Sequence, residues 1–245
     1  MRLSISGVFA DAGAMWRDHR DVLGAVTGVF FIVPILGLLL LMMQSGLAAE
    51  ADPLKLSEAM RKFYMDHLLV LLFASLMIDF GIAAILILFL QPGERSLGDT
   101  LAVTLRRLLP FIAVNLIARI LFSIGSSLFL LPGLFALART WLVAPSLAAV
   151  PGQGMFAAFR QGWQRSDGFR WLVLLGAAAA TVLAALFVIL LGSVLLGLLG
   201  AAVGDNQALE AAGYVLIAVV GSIAWVMLTL VRVSAYGRTE PKQGI

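Results

Sequence analysis

The chain has 245 residues, of which 61% are hydrophobic and only 13% are charged, with a net charge of +3 and a mean hydropathy of +1.01. A soluble domain is about half apolar and a quarter charged, and it must cover its surface with polar groups. The composition therefore excludes a cytosolic globular enzyme, a disordered chain and a nucleic-acid-binding protein, and it indicates a chain embedded in a bilayer.

Six apolar runs are long enough to cross a bilayer, which takes about 20 mainly apolar residues in a helix. We therefore predict one all-α domain, a polytopic membrane bundle of six transmembrane helices. Leu131-Pro132-Gly133 predicts a tight turn between the third and fourth runs. The fifth run must tilt or end near Leu199 to fit one crossing. The runs cover residues 22–43, 68–90, 108–131, 134–150, 171–199 and 211–231.

The connection after the first run contains a small-residue stretch and a helix-capping pair. Residues 46–49 are small and apolar, as at a leader-cleavage site, but the run before them is about twice the length of a leader core and follows three aspartates, which favours an uncleaved span. Asp52-Pro53 predicts an N-cap followed by proline in the first turn. We expect an outer interfacial helix over 53–66, with His67 as a boundary residue rather than a ligand or base.

The basic residues set the orientation, because cytoplasmic loops of membrane proteins are rich in Lys and Arg. Only Lys55, Arg61 and Lys62 lie on the opposite side of the predicted topology. Both termini are therefore expected in the cytoplasm, and the expected location is the bacterial inner membrane. Twelve basic residues share the cytoplasmic side, and the last three of them lie in the tail after the sixth run: Arg2, Arg17, Arg20, Arg95, Arg106, Arg107, Arg160, Arg165, Arg170, Arg232, Arg238 and Lys242.

Three basic segments on that side resemble one another. The segments that start at Gly7 and Gly154 both read Gly, aliphatic, Phe, Ala, with Trp nine positions after the Gly, and the segment at Gly98 shares less. We predict a threefold internal repeat of an amphipathic interfacial helix and two spans, although connectors can look alike by chance. Such helices bury their apolar stripe at the acyl boundary and place arginines among anionic head groups. The expected lipid contacts are Arg17, Arg106, Arg107, Arg160, Arg165 and Arg170.

Charged residues inside the apolar runs form the most specific signal. Asp79 and Arg119 fall at equal depth on adjacent spans, roughly 16–18 Å below the outer surface by helical rise. Pairing avoids the cost of an isolated charge, at least about 2.5–3.5 kcal/mol. Asn115 lies one turn from Arg119, and Arg139 either snorkels outward or joins Asp79. The cluster either fixes helix register or binds an anionic head group or a coupling proton.

Other chemistry finds little support. The chain has no cysteine, and its two histidines, His19 and His67, are 48 positions apart, so we expect no metal site, no cofactor and no histidine-based triad. The fifth run is rich in Gly and Ala, which favours close internal packing or a homo-oligomer face. Asp205, Asn206 and Glu210 suggest a solvated outer loop rather than a cation site.

Most of the chain resembles the membrane domain that is fused to some bacterial and archaeal glycerophosphoryl diester phosphodiesterases and also occurs alone, and the resemblance is specific over residues 130–171. The resemblance rests on Pro132-Gly133, Arg139, Pro145, Trp163 before Gly168-Phe169, and the Ser-Ile-Ser opening at Ser4. Gly162 stands where that family usually has Ser. The resemblance implies a helical membrane fold without catalysis, since the catalytic activity of the fused proteins belongs to a separate soluble domain.

The sequence thus predicts a non-enzymatic integral membrane protein. We expect it to associate with anionic membrane lipids and to support envelope organisation or serve as the membrane partner of another protein. The alternative is a transporter, or the membrane subunit of one, that uses the intramembrane Asp and Arg residues.

Overall fold

The computed structural model describes residues 3–45, 52–91, 93, 96–203 and 207–239, and in these ranges the chain forms helices and turns without a strand. The helices coincide with the apolar runs and amphipathic segments of the sequence, and several begin at capping residues. They are α1 (Ile5–Asp18), α2 (Arg20–Thr27), a π-helical segment (Gly28–Ile32), α3 (Val33–Gln44), α4 (Pro53–Asp66), α5 (Leu68–Leu90), α6 (Leu97–Leu128), α7 (Leu130–Thr140), α8 (Val143–Ala149), α9 (Met155–Arg165), α10 (Arg170–Val203) and α11 (Gln207–Arg238).

Within the described ranges, six helical stretches are long and apolar enough to cross a membrane, as the sequence predicts, which is the character of a multi-pass membrane protein. The second stretch has the predicted bounds, because polar His67 and Gln91 flank it. The third and sixth begin or end well outside the predicted runs. The six are Arg20–Gln44, Leu68–Leu90, Leu97–Leu128, Leu130–Ala149, Arg170–Ala202 and Ala208–Arg238.

Pro34 shapes the first of these stretches. Proline has no N–H to donate and its ring crowds the preceding turn, and the backbone before it widens into the π-helical segment, where the Val33 N–H donates to the Gly28 carbonyl. The widened turn places Phe31 in the core, beside Gly81 of α5, where a Cβ would lie 2.7 Å from the ring.

The predicted turn at Leu131-Pro132-Gly133 is wrong. The chain turns at Phe129, and α7 begins at Leu130, because proline is tolerated in the first turn of a helix. Gly133 instead lets α7 approach α6 closely. A Cβ on Gly125 of α6 would lie 2.8 Å from the Gly133 Cα.

Helix α9 folds back on the fourth stretch, which is broken between α7 and α8. Its buried residues are Ala158, Gly162 and Arg165, and a Cβ on Gly162 would meet the backbone of Val143. Helix α1 likewise buries Val8 and Ala12 completely in the protein core. The expectation that these helices bury their apolar stripes in lipid is therefore wrong for these residues, because neighbouring helices cover them.

The segment around Gly98 differs from the other two basic segments. It is the first part of α6, which continues without a break to Leu128, with the Ser96 side chain accepting from the Asp99 N–H at the start. The expected separate interfacial helix is therefore absent from this described segment. The predicted bounds and N-cap of α4 are confirmed, since the helix spans Pro53–Asp66 and the Asp52 carboxylate accepts from the Leu54 N–H at 3.0 Å.

Several contacts hold the helices together at the end of the bundle that carries Arg17, Arg106 and Arg107. We call this end the basic end. The Gln91 side chain after α5 donates to the Ala148 carbonyl of α8 at 2.9 Å. Arg107 of α6 donates to the Val150 carbonyl at 3.2 Å, and the His19 ring lies 5.0 Å from the Phe89 ring. These contacts bring Arg17, Arg106 and Arg107 to the same end of the molecule.

Candidate functional site

The structure brings Asp79, Asn115 and Arg119 together, as predicted. Asp79 lies at the centre of α5, and α6 carries the other two residues one helical turn apart. The Arg119 Nη2 donates to both Asp79 carboxylate oxygens, at 3.1 and 3.3 Å, and the Asn115 Nδ2 donates at 3.1 Å. The Asp79 carboxylate thus accepts from one arginine nitrogen and one amide nitrogen of α6, so this pair joins α5 to α6.

The two partners of this ion pair differ in exposure. The Asp79 side chain is 6% exposed, whereas that of Arg119 is 59% exposed. Arg119 also reaches the Ser75 hydroxyl, at 3.3 Å, one turn away on α5. The cluster is therefore closed at its carboxylate and open at its guanidinium.

Arg232 is a further member of the cluster, although the sequence predicts that it lies in the tail after the sixth run. It lies inside α11, and its guanidinium carbon is 5.4 Å from the Trp141 ring centre. Asp79 and Arg232 attract each other electrostatically, and the buried Arg232 Nε has no hydrogen-bond partner in the described chain. The continued apolar pattern through Val233, Ala235 and Tyr236 was the signal that the span does not end before Arg232.

Arg139 does not join Asp79 and does not snorkel outward. Its Nη1 donates to the Ser166 carbonyl at 2.8 Å and to Asp167 at 2.9 Å, and its guanidinium lies 4.7 Å from the Trp163 ring centre. The Gly168 N–H and Arg139 lower the pKa of Asp167. The prediction fails because the fold-back of α9 supplies acceptors that the sequence does not place beside Arg139.

The six predicted lipid contacts divide into two groups. Arg165 is buried, donates to the Tyr236 carbonyl at 3.0 Å and lies 3.8 Å from that ring's centre, so it is not available to head groups in this structure. Arg107 is half-buried and donates to Val150. The remaining four are exposed: Arg17, Arg106, Arg160 and Arg170.

An ion pair holds α1 against α11. Asp11 accepts from the Arg238 Nε at 2.6 Å and Nη2 at 2.9 Å, and from the Ser234 hydroxyl at 2.7 Å. The bonds from Arg238 are the main cause of a lowered pKa of Asp11. Arg238, assigned to the tail from sequence, therefore ends α11 and positions the first helix.

Two apolar grooves run along the outside of the bundle. One, of about 520 Å³, lies between α6 and α9 and includes Arg160 and Gln164 in its lining. The other, of about 430 Å³, lies between α10 and α11 and has Thr181 as its polar residue. Volumes in this range suit small-molecule ligands or parts of lipids.

The other residues considered from sequence form no site of their own. The His67 ring packs 5.0 Å from the Phe63 ring at the end of α4. Glu210 lies in the first turn of α11, and Asp205 and Asn206 lie outside the described residues, as does the small-residue stretch 46–49. No cluster of three metal-ligating side chains occurs among the residues that the structure describes.

Comparisons with known proteins identified no relative of this chain. No family model matches the chain, and neither a curated protein nor a solved structure matches it.

Proposed function

We propose that the protein is a non-enzymatic, multi-pass protein of a bacterial inner membrane that associates with anionic lipids through its basic end. In this role it supports envelope organisation or serves as the membrane partner of another protein, with both termini in the cytoplasm. The likeness of α1 and α9 is consistent with a repeated unit, and the motif around Trp163 supports membership of the phosphodiesterase-associated membrane-domain family.

The observation that carries the proposal is a set of exposed arginines that form no salt bridge with the described residues. Arg17, Arg106 and Arg160 are exposed, and none of them forms a salt bridge within the described ranges. An exposed arginine at a membrane boundary is stabilised by anionic head groups, at about 1 kcal/mol per residue. Three such residues therefore favour a leaflet rich in anionic lipid.

Native mass spectrometry of the purified chain with phosphatidylglycerol or phosphatidylcholine tests this proposal. We expect preferential retention of phosphatidylglycerol, and loss of that preference when Arg17, Arg106 and Arg160 are all replaced by Glu. The matched control replaces Lys55, Arg61 and Lys62, which lie exposed on α4, by Glu. No preference in the unaltered protein, or an equal loss in the control, would refute the proposal.

A second candidate function, transport of an anionic solute, rests on the excess positive charge around Asp79. One carboxylate faces two arginines, Arg119 and Arg232, and intramembrane ionisable groups often mark pathways. Asp79→Asn would then abolish flux in a reconstituted system while the protein still inserts. Unchanged flux through inserted Asp79→Asn protein would show that the cluster is structural.

A further inference from the structure

The groove between α6 and α9 combines an apolar slot with a cationic edge. Two side chains of α6 face a row of aromatic side chains on α9, and polar side chains border the same space. These residues are Ile117, Leu121, Phe159, Trp163, Arg160 and Gln164. Arg160 and Gln164 are four residues apart, and they therefore lie on the same face of α9.

In the part of the chain that the structure describes, Arg160 forms no salt bridge. The sequence of α9 contains no acidic residue, and Asp167, which follows the helix, already accepts from Arg139. Arg160 itself is exposed. A guanidinium can donate two parallel hydrogen bonds to a phosphate group, and the Gln164 amide supplies a further donor.

We propose that this groove binds one molecule of an anionic glycerophospholipid, with an acyl chain in the slot between α6 and α9 and its phosphate on Arg160 and Gln164. This inference deepens the proposed function and rests on it, because it assigns the association with anionic lipid to a defined site. The occupant must carry both an apolar chain and a phosphate, since the lining offers complementary surfaces to both.

The groove between α10 and α11 provides an internal comparison. It has a similar volume but is lined by apolar residues and Thr181, without a charged side chain. It can accept an acyl chain, but it offers no group that selects an anionic lipid over a zwitterionic one. A comparison of the two grooves therefore distinguishes lipid binding through apolar contacts alone from lipid binding that also requires a charged side chain.

The test is a titration of the delipidated full-length protein with phosphatidylglycerol and, separately, phosphatidylcholine, followed by native mass spectrometry. Arg160→Gln removes the phosphate contact, and Ile117→Trp fills the slot. We expect each variant to weaken binding of the first phosphatidylglycerol by about tenfold, the loss expected for one hydrogen-bonded charged contact. The controls Lys55→Gln, on exposed α4, and Ala184→Trp, in the α10–α11 groove, should change it less than about twofold.

The outcomes separate this inference from the proposed function. If the unaltered protein shows no preference for phosphatidylglycerol, both fail. If the preference exists but Lys55→Gln lowers it as much as Arg160→Gln, the charge acts diffusely and the defined site is refuted. Retention of tight binding in folded Ile117→Trp also refutes it. Leu121→Trp serves as the second slot-filling variant if Ile117→Trp does not fold.

Discussion

Gly162 marks the point where α9 crosses the start of α8. A Cβ at this position would lie 2.6 Å from the Cα and the backbone nitrogen of Val143, and backbone atoms cannot move aside as a flexible side chain can. This contact gives a physical reason for glycine here, although the resemblance noted above would place serine at this position. The same contact fixes where Trp163 and Ser166 meet Arg139.

We expect Gly162→Ser to destabilise the protein by about 1–3 kcal/mol, the usual cost of overpacking, and to lower the thermal transition measured in detergent. The control is Gly24→Ala in α2, where a Cβ would have no neighbour within 4 Å. This change should be neutral or slightly stabilising, because alanine favours a helix more than glycine does. A Gly162→Ser protein as stable as the control would contradict the close contact.

The Asp11 carboxylate should make stability depend on pH. Its pKa is lowered in the folded protein by the hydrogen bonds from Arg238, so the stabilisation is fully present above the unfolded-state pKa, near about pH 4, and is lost as pH falls through the lower folded-state pKa. The carboxylate is 41% exposed, which limits the effect to about 1 kcal/mol.

Asp11→Asn should therefore lower the free energy of unfolding at neutral pH, and its difference from the unaltered protein should shrink in acid. Thermal unfolding in detergent at several pH values measures both quantities. The matched control is Asp18→Asn on the same helix, since Asp18 is exposed and forms no salt bridge with the described residues. An equal effect of the two variants would rule out a specific role of Asp11.

At the scale of helices, hydropathy gives the existence of the six stretches but not their lengths. The predicted third run begins after Arg106 and Arg107, and the sixth ends before Arg232, yet α6 and α11 both extend past these residues. Charged side chains end an apolar run without ending a helix, because the helix is held by backbone hydrogen bonds, which do not depend on the charge of the side chain. Arg232 was therefore assigned to a tail, and one member of the candidate site was missed.

The cluster joining α5, α6 and α11 predicts an asymmetry between its variants. Asp79→Asn removes the one carboxylate that faces both Arg119 and Arg232, so we expect a loss of about 3 kcal/mol or more. Arg119→Gln should cost less than Asp79→Asn, because Arg232 still balances the charge of Asp79.

Thermal unfolding of the variants checks this order, and a double variant tests its cause. Adding Arg232→Met to Asp79→Asn removes an unbalanced buried charge and should recover part of the stability. If the double variant is less stable than Asp79→Asn alone, the electrostatic link between α5 and α11 is not the reason for the loss.

For the whole molecule, the pairing of α5 with α6 through Asp79 could be predicted from equal depth alone. The positions of α1 and α9 could not. An amphipathic stripe shows that a face is buried, but lipid and protein cover an apolar face equally well, so the pattern does not identify which of them does. Gly162 and Ala158 are the residues whose small size favours protein, because close helix packing requires small side chains.

The orientation of the whole molecule is open to a direct measurement, because the natural chain has no cysteine. Single cysteines at exposed Ser57 of α4 and at exposed Asp18 of α1 lie on opposite sides of the predicted topology. With the basic end in the cytoplasm, a membrane-impermeant maleimide should label Ser57→Cys in spheroplasts and Asp18→Cys only in inverted vesicles. Pro151→Cys, in the exposed turn after α8, should behave like Asp18→Cys.

Labelling of Ser57→Cys and Pro151→Cys from the same side would mean that the six helices do not alternate across the membrane. The reverse pattern at all three positions would place the exposed arginines against the outer leaflet.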